Sequence, residues 1–151
     1  MTPLDQLLQN KVLGATLLGW VTAQTLKVLL STRRKRFFDV RWFLGTGGMP
    51  SAHSAGVSAL AMAVGLQLGF HTPAFAVALM FALVTMFDAQ GVRMAAGRQA
   101  VALNQIIDDL YRKKPVSPEH LKELLGHTLV EVFVGSAVGS VVAVLAYRFY
   151  G

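Results

Sequence analysis

From Ser54 to Phe87 the chain runs thirty-four residues without one Asp, Glu, Lys or Arg. A helix on the surface of a soluble protein carries charge on its outer face. A bilayer crossing takes about 20 mostly apolar residues, with roughly 17 as the short limit. The uncharged run therefore suits two crossings joined at His71-Thr72-Pro73, which reads as a tight turn. Composition agrees: 54% of the residues are hydrophobic and 15% are charged, against roughly 25% charged in an average soluble domain.

Two further stretches have the length and apolarity of a span. One runs from about Val12 to Leu30 and contains Lys27; the other runs from about Thr128 to Tyr147 and contains Glu131. The fold class expected is all-α: a single integral membrane domain over residues 1–151 with about four transmembrane helices. Between the third and fourth spans, Ala96, Ala100, Leu103, Ile107 and Leu110 recur at helical spacing. They predict a cytoplasmic amphipathic helix lying on the membrane or over a site.

Charge orients the spans. Eleven of the fourteen Lys and Arg residues fall in two segments, Arg33 to Arg41 and Arg93 to Lys122. The positive-inside rule puts both segments in the cytoplasm and both termini outside. The net charge of +6 on so apolar a chain points to anionic membrane lipid rather than nucleic acid. The absence of cysteine excludes disulfides, zinc-thiolate sites and thiol nucleophiles.

A short internal repeat is discernible. Ala23-Gln24-x-x-Lys27 and Ala89-Gln90-x-x-Arg93 end the odd spans, and Ala52-His53-Ser54 and Gly126-His127-Thr128 begin the even ones. Each half reads span, basic loop, small-His-hydroxyl, span. A weak two-fold repeat about an axis along the membrane normal accounts for this, as does coincidence of permissive residue types.

The repeat would gather chemistry at one cytoplasmic mouth. Gly47 and Gly48 allow close backbone approach to a ligand. Pro50 and Ser51 suit a helix start, whose free N–H groups attract anions. His53 follows on the first turn and His127 opens the fourth span in the same way. With Lys27, Arg93 and Arg98 as cations, the set suits a phosphate group. Asp88, at the end of the third span, is expected to pair with Arg93 or Lys27. Glu131 has two readings: partner of His127 one turn on, or the reciprocal cap in Thr128-x-x-Glu131. Gly135-x-x-x-Gly139 suits close helix packing, either between two copies as a homodimer or within one chain.

Gly47-Gly-Met-Pro-Ser-Ala-His-Ser-Ala55 resembles the divergent branch of the type 2 phosphatidic acid phosphatase superfamily. So do Asp88-Ala-Gln-Gly-Val-Arg93, Gly97-Arg-Gln-Ala100, Leu103-Asn104 and Leu121-Lys-Glu-Leu-Leu-Gly-His-Thr128. The main superfamily has six helices and three motifs: Lys-x6-Arg-Pro, Pro-Ser-Gly-His and Ser-Arg-x5-His-x3-Asp. Pro50-Ser51-Ala52-His53 matches the second with Ala for Gly, and His127 with Glu131 matches the end of the third with Glu for Asp. Lys27 and Arg34 have the spacing of the first, with Lys35 for Pro. His120 and Leu121 stand where Ser-Arg would be; Arg93 and Arg98 are the candidates to replace that arginine.

The resemblance implies a phosphatase that needs no metal or other cofactor and passes through a phosphohistidine. His127 would be the nucleophile, Glu131 its orienting partner, His53 the acid for the leaving alcohol, and Ser51 a phosphate ligand. The substrate would be a lipid phosphate, of isoprenoid or glycerolipid type, with its tail between spans. The alternative is a binder or transporter of a lipid phosphate that keeps the anion pocket without catalysis. A third reading is a small structural membrane protein.

Overall fold

In a computed structural model the described residues are 2–35, 48–111 and 127–150. Their regular structure is helical: α1 (Pro3–Leu8), α2 (Lys11–Lys35), α3 (Ala52–Leu68), α4 (Pro73–Tyr111) and α5 (Leu129–Tyr150). Two stretches are long and apolar enough to cross a membrane, Lys11–Arg33 and Leu129–Phe149, and two shorter helices are apolar, Ala52–Leu68 and Pro73–Ala89.

The shortest of the long helices lies at the centre. Helix α3 packs against α2, α4 and α5, whereas α4 and α5 barely meet. Small residues make this possible. A Cβ added to Gly19 of α2 would press on Ala59 and the Ala55 carbonyl, with Gly139 of α5 just beyond. A Cβ on Gly135 or Gly139 would run into the backbone of Ser51 or Ala55. Backbones this close are the usual packing of helices within lipid, where van der Waals contact has to replace the hydrophobic drive. The Gly135-x-x-x-Gly139 face is thus occupied within the chain.

The bundle is built with its small residues inside. Among the described residues, its buried apolar side chains are alanines apart from Val28, Val132 and Pro50. Its exposed apolar residues include Leu17, Leu29, Val77, Met80, Phe81, Val84, Phe87, Val130, Phe133 and Leu145. Soluble proteins expose single large apolar residues but rarely a continuous coat of them. Within this interior, Ser58 donates to Ser136 at 2.8 Å, a polar link that joins α3 to α5.

The α3–α4 turn follows the local sequence. Gly69 has a positive φ of 99°, which a side chain would resist. Thr72 caps α4: its hydroxyl accepts from the Phe75 amide at 3.3 Å and donates to the Gly69 carbonyl at 2.8 Å. Phe70 and Phe75 meet edge to face across the turn, ring centroids 5.0 Å apart.

Two elements differ from the sequence expectation. The third span and the amphipathic segment form one helix of 39 residues, about 58 Å long at 1.5 Å per residue. Asp88 and Arg93 do not break it, because both residue types are tolerated in a helix interior. At the N-terminus, Thr2 and Asp5 form a reciprocal capping box that starts α1. The Thr2 amide and hydroxyl hold the Asp5 carboxyl below its ordinary pKa.

Since α4 leans away from α5, an elongated apolar cleft of about 460 Å³ opens between them. Helix α3 forms its floor, and it runs from Phe70 and Phe75 at the turn to Phe87 and Leu129 at the opposite end.

Candidate functional site

At that opposite end the chain gathers its polar residues. Residues 48–50 lead into α3. Gly48 has a positive φ of 86°, and a Cβ there would touch the Cδ and Cγ of Lys27 at 3.4 and 3.6 Å. Lys27 is buried on α2 with Gln24, one turn earlier. Ala23, in the same turn, packs against Ala52 and Ala55, which sets Lys27 level with the start of α3. The Met49–Pro50 peptide is cis.

Ser51 is fully buried and caps α3. Its hydroxyl accepts from the Ser54 amide at 3.3 Å and from the Ser54 hydroxyl at 3.0 Å. Its own amide donates to the Glu131 carbonyl at 3.1 Å. The entry to α3 is therefore tied to the first turn of α5.

His127 enters from the other side. Its backbone N–H donates to the Ala89 carbonyl of α4 at 3.2 Å, and the residue is 2% exposed. Its Nδ1 lies 3.2 Å from Oε2 of Glu131. The same oxygen accepts from the Thr128 amide at 3.0 Å, while the Thr128 hydroxyl accepts from the Glu131 amide at 3.3 Å. Both sequence readings of Glu131 thus hold together: one carboxylate caps α5 and meets the imidazole. An ionised Glu131 takes a proton-bearing Nδ1, and this leaves Nε2 with the lone pair.

The two histidines face one another. His53, exposed on the first turn of α3, has its ring centroid 6.4 Å from that of His127, with the planes 59° apart. That separation is about twice the 3–3.5 Å approach of reacting atoms. The N-terminal ends of α3 and α5 add the positive ends of two helix dipoles.

The structure thus brings together His53, His127, Glu131 and Ser51, and seats Gly48 on Lys27. Asp88 is exposed on α4 and does not join the buried group. Gly47 lies outside the described residues, as do the side chains of Arg93 and Arg98, although α4 carries both positions. Sequence reasoning missed Gln24 and Ser54 as site neighbours. Their signal was spacing: each lies three residues from a named site residue and hence on the same helix face. Among the described residues no cluster of three or more His, Cys, Asp or Glu could hold a metal.

Two helices long and apolar enough to cross a membrane, two shorter apolar helices packed with them and a coat of exposed apolar side chains describe a helical membrane protein. The chain belongs to the divergent PAP2 family, which it matches over residues 8–142. It is 40% identical to the uncharacterized membrane protein YuiD of Bacillus subtilis (strain 168), over 95% of this chain and 99% of the relative. No solved structure matches it.

Proposed function

We propose that the protein is a multi-pass membrane phosphatase acting on a lipid monophosphate at the end where the two histidines meet. The observation that carries this reading is the His53–His127 pair at 6.4 Å with Glu131 on Nδ1 of His127. That is the arrangement for a histidine nucleophile with an oriented ring and an acid opposite it.

In the first step Nε2 of His127 attacks phosphorus and the P–O bond to the lipid alcohol breaks. The departing oxygen takes a proton from His53. In the second, His53 removes a proton from water, whose oxygen attacks the phosphohistidine. The P–N bond breaks, inorganic phosphate leaves and His127 is restored. Lys27 and the N-termini of α3 and α5 stabilise the equatorial oxygens; Arg93 and Arg98 are the proposed further cations. Ser51 retains a hydroxyl proton to donate toward the same oxygens.

Four crossings, both termini outside and both basic segments in the cytoplasm are the topology proposed from the Lys and Arg distribution. The parallel repeat is proposed with it: Ala52, beside His53, packs against Ala23, and His127 bonds to Ala89, the same position of the repeated motif. A homodimer would use a face other than Gly135-x-x-x-Gly139.

A second reading, a lipid-phosphate binder or carrier without turnover, is favoured by His120 and Leu121 in place of the Ser-Arg pair. Phosphate release by the purified protein from a panel of lipid phosphates separates the two. Release that is lost in His127→Ala supports the phosphatase; tight binding without release selects the carrier.

A further inference from the structure

The cleft between α4 and α5 ends close in sequence to the histidine pair. Leu129, at its mouth, is two residues from His127, and Phe87, opposite, is two residues from the Ala89 carbonyl that holds the His127 amide. On α4 the cleft extends from Phe75 to Phe87, about 18 Å of helix. One leaflet of hydrocarbon is about 15 Å deep. At about 30 Å³ for a water-sized group, 460 Å³ holds roughly fifteen such groups in a row. In a row along about 18 Å of helix, that matches one hydrocarbon chain.

The floor suits a hydrocarbon. Of its polar lining, Ser58 donates to Ser136, so a chain laid across them does not strand the Ser58 donor. The walls reach the surface at Phe87 and Phe133, both at least 70% exposed, so a chain can enter sideways from lipid. Inside a membrane this entry is not driven by water release; the fit of the walls decides which tail is held.

We infer that the cleft selects single-chain lipid monophosphates over diacyl ones, with the one chain lying between α4 and α5 on α3. The inference rests on the headgroup reading above, and the experiment separates the two. Three photoreactive probes carry a diazirine at the chain end: a monoalkyl phosphate of about fifteen carbons, the matching diacyl phosphatidic acid and the matching alcohol. Each is added to the full-length protein in phosphatidylcholine nanodiscs, with and without orthovanadate, and labelled peptides are read by mass spectrometry.

The single-chain phosphate is expected to label the 75–87 and 133–140 segments roughly tenfold more than the diacyl probe, the discrimination a shaped apolar pocket supplies. Vanadate should displace it. Equal cleft labelling by the diacyl probe, or labelling elsewhere, overturns the inference. If vanadate displaces the phosphate probe but no label enters the cleft, the headgroup reading stands and the tail site falls. If the single-chain alcohol labels the cleft as strongly as the phosphate does, the tail site stands and the headgroup reading falls. Ser140→Phe, which fills the cleft far from the histidines, should cut single-chain labelling about tenfold; unchanged labelling in a folded variant also overturns the tail site.

Discussion

The Ser51 amide donates to the Glu131 carbonyl at 3.1 Å, and this bond joins the two halves of the site. His53 is two residues beyond the donor, and the acceptor residue carries the carboxylate that meets His127. A shift of α3 against α5 therefore changes the distance between the histidines directly. The bond lies beside Gly135, whose missing side chain leaves room for the Ser51 backbone.

Gly135→Ala and Gly139→Ala are expected to destabilise the bundle by about 1–3 kcal/mol each, the usual cost of overpacking a filled interior. Unfolding by SDS titration measures it. Gly14→Ala is the control, because nothing lies within 4 Å of a Cβ there; removing a mid-helix glycine should stabilise by about 0.5–1 kcal/mol.

His127→Ala should abolish turnover, since no phosphohistidine can form. His53→Ala should slow release of poor alcohol leaving groups by roughly 100- to 10,000-fold and good ones much less. Steady-state rates with alkyl and nitrophenyl phosphates check the difference. Full activity of both variants on every ester would exclude the double-displacement mechanism.

Glu131→Gln keeps an oxygen to cap α5 but removes the charge beside Nδ1. It should lower kcat with little change in KM, as expected when an interaction matters mainly in the transition state. Glu131→Ala should add a loss of stability of about 1 kcal/mol from the broken capping box. Kinetics and unfolding on the same preparations separate the two roles.

Lys27→Met preserves the buried stem that Gly48 covers and deletes the charge. Vanadate binding should weaken at least about tenfold, in line with roughly 1.5–3 kcal/mol for a hydrogen bond to a charged group, while the fold persists. Calorimetric titration reads the affinity. Unchanged vanadate binding would remove Lys27 from the anion site.

Topology is open to direct labelling because the chain has no native cysteine. A cysteine at Val116 should resist a membrane-impermeant maleimide in intact cells, and one at Thr72 should react. The opposite pattern would reverse the orientation and move the site to the outer face.

Much of this protein is legible in its sequence, because some physical constraints are local. An uncharged run from Ser54 to Phe87 has to be helical in lipid, where every backbone polar group must be satisfied within the segment. The turn at His71-Thr72-Pro73 follows from proline's suitability for a helix start and threonine's capping hydroxyl. Pro50-Ser51-Ala52-His53 and His127 with Glu131 mark two helix starts carrying imidazoles, since N-cap chemistry acts within one turn. The remainder depended on residues far apart in the chain. The end of the uncharged run at Asp88 implied the end of a span, but helix propensity there is permissive and α4 runs on to Tyr111. Gly135-x-x-x-Gly139 announced close packing without naming a partner, because a small-residue face fits any helix that lies near it. Only the tertiary structure assigns that face to α3, brings His53 to 6.4 Å from His127, and spreads α4 from α5 so that a cleft opens beside them. Those relations are set by the crossing of helices, which side-chain shape decides and no single segment encodes.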